Sequence, residues 1–148
     1  FSPYTPPTPC PLPPMMNPVV HFELPGTDME RMKKFYGEAF GWQLNQLGAE
    51  MGNYVMATTS ETKPDGFPTE PGRINGGLYQ KTADAPHPSV VIGVEDVQHH
   101  VKKVEEAGGT ILTQPMMIPG VGMFASFQDT EGNRLSILQP LDMAQANV

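Results

Sequence analysis

The sequence predicts an α+β domain built from two similar βαβββ modules. Two segments carry apolar residues at helical spacing. They begin at the acidic caps Asp28 and Asp96, and they end at Gly41 and at Gly108-Gly109. The two caps are 68 residues apart (96 − 28), and Gly41 and Gly109 are also 68 residues apart (109 − 41). β-rich runs flank both helices. A repeat of this length indicates duplication of one βαβββ unit.

The first module is expected within residues 17–80. A β-rich run ends at Pro25-Gly26, which predicts a strand followed by a turn. A helix follows near residues 28–40, with these apolar residues on one face: Met29, Met32, Phe35, Tyr36, Ala39 and Phe40. Short strands are expected at 42–47, 53–58 and 74–80. Residues 60–72, rich in Pro, Gly, Thr and Glu, form a long loop of the kind that is often functional.

The second module is expected within residues 88–140, with its elements in the same order. Val90 to Val94 predicts a strand. The helix near 96–107 carries Val97, Val101, Val104 and Ala107 on its apolar face. Strands near 110–118, 122–128 and 134–139 complete the module.

The two modules together make a single domain at residues 17–142. A Pro-rich N-terminal arm at 1–16 precedes it, and a C-terminal tail at 143–148 follows it. Half of residues 1–14 are proline, which lacks an amide donor and fixes φ. We therefore expect an extended arm without a core of its own.

The composition of the 148-residue chain narrows the classes of function. A net charge of −7, without stripes of Lys or Arg, argues against binding to nucleic acids and to anionic membranes. Its apolar runs fall short of the ~20 residues of a membrane helix, and no secretory signal is visible, so a cytoplasmic location is expected. Cys10 is the only cysteine, which excludes an intramolecular disulfide and a Cys-based metal site.

Several segments, taken in order, carry a family resemblance. They are HFEL at 21–24 with its cap Asp28, FYGEAFGW at 35–42, VEDV at 94–97, EEAGG at 105–109 and FQDTEGN at 127–133. Together they span about residues 19–140 and resemble the glyoxalase/bleomycin resistance protein/dioxygenase superfamily, with the vicinal oxygen chelate (VOC) fold. The resemblance implies that each βαβββ module contributes to a half-barrel cup in which a ligand binds.

The resemblance also implies where a metal ion would be held. Metal-dependent members place ligands on the first and last strand of each half, which here correspond to His21, Gly76 or Gly77, Ser89 and Ser136. Only His21 matches a credible ligand, whereas catalytic zinc or iron sites use about three protein ligands. No cofactor is therefore expected. Weak binding of a divalent metal by His21 with Glu23 stays open.

Candidate ligand-binding residues follow from these positions. His21 and Glu23 lie two residues apart and share one strand face, so they are the best candidates for polar anchors or catalytic groups. Ser89 and Ser136 approach them from the second half, and Trp42, Tyr54, Tyr79 and Phe124 are candidate aromatic walls. An ordinary polar residue on a strand face that is partly exposed to solvent would also explain His21. Packing in the core would also explain the aromatic residues.

The first functional hypothesis is a metal-independent small-molecule binding protein that uses the cup. The alternative is a divalent-metal-dependent lyase or dioxygenase of the same superfamily with an atypical site. A third hypothesis is an interaction role, in which the Pro-rich arm acts as a ligand for aromatic grooves.

We predict a homodimer, because relatives commonly complete or flank the half-barrel across a twofold axis and symmetric dimers are the commonest oligomers. Light scattering of the purified chain at micromolar concentration should give the mass of a dimer. A monomer under these conditions would count against the prediction. If the arm crosses to the partner, deletion of residues 1–14 should weaken the dimer.

Overall fold

The computed structural model describes residues 16–141. The predicted tail, and the predicted arm apart from Met16, lie outside the described residues. The first module contains β1 (Val19–Gly26), α1 (Met29–Phe40), β2 (Gln43–Gln46), β3 (Val55–Thr58) and β4 (Asn75–Gln80). The second contains β5 (Ser89–Gly93), α2 (Val97–Glu106), β6 (Thr110–Ile111), β7 (Met116–Ile118), β8 (Gly122–Gln128) and β9 (Arg134–Pro140). The predicted α+β architecture of two βαβββ modules is confirmed.

Within the described part of the chain, one mixed sheet joins the two modules in the order β2-β3-β4-β1-β5-β9-β8-β6, with β7 also paired to β8. The first strand of each module pairs in parallel with its own last strand, β1 with β4 and β5 with β9. β1 and β5 pair antiparallel in the middle, with Glu23 opposite Ser89 and His21 opposite Val91. The interval of 68 relates His21 to Ser89 and Glu23 to Val91. The residues of each related pair therefore lie diagonally across the β1–β5 pairing, as a twofold relation between the modules requires.

Both helices begin as the sequence predicts. The side chain of Asp28 accepts a hydrogen bond from the Arg31 amide at 3.1 Å, and that of Asp96 accepts one from the His99 amide at 3.2 Å. Gly41 ends α1 with φ 71°, a left-handed conformation that favours glycine. α2 ends one residue earlier than predicted, since Ala107 is its C-cap and Gly108 takes the positive φ of 103°.

The two modules are packed unequally. α2 covers a core of Val94, Val97, Ala125, Phe127 and Ile137, against which Val101 and Val104 pack. Its predicted apolar residue Ala107 is exposed, because it lies beyond the last helical turn.

α1, in contrast, contains no buried residue. Its predicted apolar stripe is only partly used, since Phe35 and Phe40 are 56% and 62% exposed. Met32 lies against Gly26, and Tyr36 stacks on Trp42 at a ring distance of 4.8 Å. The apolar stripe of α1 is therefore wider than the sheet surface against which the helix packs.

The predicted strand near 110–118 is divided into β6 and β7. The amides of Leu112 and Thr113 both donate to the Ser126 carbonyl, at 2.9 and 3.2 Å, so two residues oppose one position of β8. Pro115 then lacks the amide that a continuous ladder needs. No helix among the described residues is long and apolar enough to cross a membrane.

Truncation of the buried core should destabilise this fold. Leu78 on β4 is 0% exposed, so Leu78→Ala should lower the free energy of unfolding by about 2–5 kcal/mol. Leu112, which is 39% exposed, provides the control, and Leu112→Ala should cost less than about 1 kcal/mol. Urea unfolding followed by circular dichroism measures both. Equal losses in the two variants would contradict the described core.

Candidate functional site

Strand alternation places His21 and Glu23 on the cup side of β1. Glu23 lies opposite Gly77 of β4 and Ser89 of β5. On the other half, Ser136 of β9 lies opposite Val91 of β5. Paired residues of adjacent strands point to the same face, so all of these residues face the cup.

The two glycines of β4 have different environments. Gly76 lies opposite Phe22, and the Phe22 ring occupies the space that a side chain at Gly76 would need. At Gly77 the same space is filled by the phenol of Tyr54. Of the two candidate positions on this strand, Gly77 is thus the one that faces the cup, and Tyr54 covers it.

Tyr54 connects the two polar residues of β1. Its hydroxyl lies 3.0 Å from Nε2 of His21, and it also interacts with the Glu23 carboxyl. Burial lowers the pKa of His21 to about 4, so its imidazole is neutral at pH 7. Burial, reinforced by the Glu23 charge, raises the pKa of Tyr54, so the phenol keeps its proton.

These protonation states orient the hydrogen bonds. A neutral phenol has one proton to donate. When Tyr54 donates it to Glu23, the His21 tautomer with a proton on Nε2 donates to the Tyr54 oxygen. His21, Tyr54 and Glu23 then form a chain that runs from imidazole to carboxylate, here called the His–Tyr–Glu chain. Burial raises the pKa of Glu23, while Tyr54 and Arg134 lower it.

Among the described residues, a cavity of the cup adjoins each end of this chain. The cavity of about 550 Å³, the Glu23 cleft, is lined by Glu23, Tyr79, Ser89, Phe124, Arg134 and Ser136 among others. The cavity of about 390 Å³, the His21 cleft, is lined by His21, Met56, Phe67, Asn75, Val121 and Leu138 among others. Of the residues that the structure describes, none lines both. The two polar anchors of β1 therefore serve different cavities.

The long loop at 60–72 covers the His21 cleft. Asn75, which is buried, holds it: Nδ2 donates to Thr62 Oγ1 at 2.9 Å, and Oδ1 accepts from the Thr59 amide at 2.9 Å. Phe67 from the loop lines the cleft. The loop thus forms one wall of a cavity.

The structure brings most of the predicted site residues together. His21, Glu23 and Tyr54 form the chain, and Tyr79, Ser89, Phe124 and Ser136 line the Glu23 cleft. Trp42 is a correction, since it lies on the helix side of the sheet. It follows the left-handed turn at Gly41, and its indole stacks on Tyr36 and packs against Phe22 at a ring distance of 5.4 Å.

Sequence analysis missed Arg134, Ser126 and Asn75. The Ser126 and Ser136 hydroxyls are buried and lie 3.1 Å apart. Arg134 begins β9 directly after a turn in which Asp129 accepts the amides of Glu131 and Asn133. Arg134 lies two residues before Ser136, so strand alternation would have found it. Asn75 carried no such signal.

Metal-binding side chains do not cluster in this cup. Within residues 16–141, no group of three or more His, Cys, Asp or Glu residues is placed to hold a metal ion. Of the four family positions, His21 alone presents such a side chain, and Gly77, Ser89 and Ser136 do not. Glu23 is the one carboxylate nearby on the same strand face.

Comparisons with known proteins agree on one family. The sequence model described as Glyoxalase/Bleomycin resistance protein/Dioxygenase superfamily matches residues 19–137. A glyoxylase-like domain-containing protein of Didymella fabae is 32% identical over 120 residues, 78% of this chain and 88% of the relative.

Solved structures share the fold at low sequence identity. A hypothetical protein from Bacillus halodurans C-125 is 14% identical, with a TM-score of 0.63 over 87% of this chain and 98% of its own. Methylmalonyl-CoA epimerase of Streptomyces coelicolor, in complex with 2-nitronate-propionyl-CoA, is 14% identical, with a TM-score of 0.62 over 84% and 94%. At this identity the likeness concerns the fold alone.

His21 should make stability depend on pH. Its pKa of about 4 in the folded chain lies below the ordinary 6.5, so the unfolded chain binds more protons between these values. This stabilisation is complete above pH 6.5 and is lost as pH falls toward 4, by up to about 3 kcal/mol at ~1.4 kcal/mol per pKa unit. Glu23 acts in the opposite sense, because its pKa is raised.

The difference between wild type and His21→Gln isolates the histidine. Urea unfolding over this pH range should show a flatter loss of stability in His21→Gln than in wild type. His99→Gln, at an exposed histidine on α2, should keep the wild-type dependence. The same slope in all three proteins would refute the assignment of a buried neutral imidazole.

Proposed function

The chain belongs to the Glyoxalase/Bleomycin resistance protein/Dioxygenase superfamily, and we propose that it binds a small organic molecule in its cup without a divalent metal ion. One observation carries the proposal. The Tyr54 phenol occupies the space above Gly77, where metal-dependent relatives present a ligand, and its hydroxyl engages Nε2 of His21.

The remaining side chains do not compensate for this loss. Serine hydroxyls such as those of Ser89 and Ser136 are poor metal ligands at neutral pH, and a glycine contributes only backbone. His21 and Glu23 would supply two ligands, fewer than the roughly three of a catalytic zinc site. A phenolate at Tyr54 would add a third, but burial and the Glu23 charge both favour the protonated phenol.

Metal binding would also break the His–Tyr–Glu chain. Nε2 of His21 and the Glu23 carboxyl each interact with the Tyr54 hydroxyl. Each broken hydrogen bond costs about 0.5–1.5 kcal/mol, and more where a buried polar group is left unsatisfied. The polar groups of the His–Tyr–Glu chain therefore satisfy one another's hydrogen bonding, which disfavours the binding of a cation.

The Glu23 cleft has the characteristics of a ligand site. Its volume of about 550 Å³ falls in the range of about 300–1,000 Å³ typical of small-molecule pockets. Phe124 gives it an apolar wall, and Glu23 and Arg134 give it polar groups of opposite charge. This combination suits an organic ligand with both apolar and polar parts.

The second candidate function is a divalent-metal-dependent lyase or dioxygenase with an atypical site. The observation that favours it is the neutral imidazole of His21 on the same strand face as the Glu23 carboxyl. A homodimeric assembly and a cytoplasmic location remain predictions.

Metal titration separates the two candidates. Calorimetric titration with zinc, nickel and iron(II) should give affinities weaker than micromolar, and His21→Ala should leave them unchanged. His99→Ala controls for adventitious binding at exposed histidines. Sub-micromolar affinity that disappears in His21→Ala but persists in His99→Ala would establish the metal-dependent alternative.

Tyr54→Phe tests the blocking role of the phenol. Loss of the hydroxyl frees Nε2 of His21, so zinc should bind this variant more tightly than wild type. Tyr79→Phe is the matched control, because the Tyr79 hydroxyl bonds the carbonyls of Ala85 and His87 instead. If zinc affinity rises equally in both variants, the phenol of Tyr54 has no special role.

A further inference from the structure

We infer that the Glu23 cleft recognises a small organic carboxylate, with the Arg134 guanidinium as anion anchor and Glu23 as acceptor for a hydroxyl or N–H group of the same ligand. The inference rests on the proposed function and names the ligand class. It concerns Arg134, whose side chain takes no part in the His–Tyr–Glu chain.

Arg134 and Glu23 occupy one row across three adjacent strands. Glu23 of β1 lies opposite Ser89 of β5. Ser89 and Arg134 each lie two residues before the registered pair Val91 and Ser136, so the parallel strands bring them to the same level on the cup face. Two strand spacings of about 4.8 Å separate the β1 and β9 backbones by about 10 Å. The two charged side chains therefore flank Ser89.

The hydrogen-bonding needs of the two charged groups differ. Among the described residues, the Arg134 guanidinium makes no ion pair and no side-chain hydrogen bond, although it carries five N–H donors. The Glu23 carboxyl already interacts with Tyr54. Arg134 influences Glu23 only through space. The N–H donors of Arg134 are thus available to an acceptor group on a ligand.

A carboxylate meets this requirement best. A planar guanidinium binds a carboxylate through two parallel N–H···O bonds, which are roughly twice as strong as neutral hydrogen bonds. The Ser89 hydroxyl, on the same row, supplies a further donor. Glu23 retains acceptor capacity beyond the Tyr54 bond, so it suits a hydroxyl or N–H group on the ligand.

The charges of the cleft also argue for one anionic group near Arg134. Glu23 and Arg134 are its inner charges, and Asp84 lies on the exposed loop at its rim. An ammonium group placed beside Arg134 would be repelled by it. The apolar body of the ligand would pack on Phe124.

A set of isosteric probes tests the charge requirement. Phenylacetate, phenylacetamide and phenethylamine share an aromatic body and differ in charge. In NMR titrations of the full chain, phenylacetate should bind at least tenfold more tightly than the other two. Arg134→Gln should abolish this preference. Arg134→Lys should retain part of it, because a lysine keeps the charge but cannot form the two parallel hydrogen bonds of a guanidinium. Arg73→Gln is the control, since Arg73 is exposed and pairs with Glu70 at 2.8 Å.

A second comparison tests the acceptor role of Glu23. Mandelate adds one hydroxyl to phenylacetate, and at least one enantiomer should bind several-fold more tightly than phenylacetate. Glu23→Ala should remove this gain and leave phenylacetate bound.

The outcomes distinguish this inference from the proposed function. Phenylacetate affinity that is unchanged in Arg134→Gln, or equal affinity for the amide or the amine, would overturn the carboxylate assignment and leave binding in the cup intact. Absence of shifts at cup residues with every probe would contradict both. The NMR spectra themselves show whether each variant is folded.

Discussion

The antiparallel pairing of β1 with β5 is the constraint on which the cup depends. It joins the two modules into one sheet and sets Glu23 opposite Ser89 and His21 opposite Val91. A shift by one residue would turn every side chain of β1 to the opposite face. His21 and Glu23 would then point toward the helices, and Phe22 would enter the cup. The position of His21 and Glu23 in the cup follows from this single register.

A glycine at position 77 gives Tyr54 room to lie within the cup. Any side chain at this position would collide with the phenol. The phenol in turn shields His21 and Glu23 from water and joins them, which explains why burial dominates the pKa of each group. In the first module, the Tyr54 hydroxyl thus lies where a side chain on β4 would otherwise project. Under the proposed metal-independent function, hydrogen bonding at this position takes the place of coordination chemistry.

The two modules contribute differently to the core and to the cup. The second module contains the large core beneath α2, and its turn at residues 129–133 determines where β9 and Arg134 begin. The first module supplies His21, Tyr54 and Glu23, and its long loop is tied to the sheet through Asn75. The two clefts lie at opposite ends of the His–Tyr–Glu chain.

The sequence alone determined the two-module architecture, the helix starts and the cup-facing side of β1. These depend on local rules, namely capping side chains at Asp28 and Asp96 and the two-residue alternation of a strand. The same rules did not locate Trp42, whose direction depends on the left-handed turn at Gly41 and on stacking with Tyr36. Only the tertiary structure placed Tyr54 over Gly77 and brought Arg134 level with Glu23. Those contacts join residues far apart in the chain, so they depend on strand register and not on any local pattern.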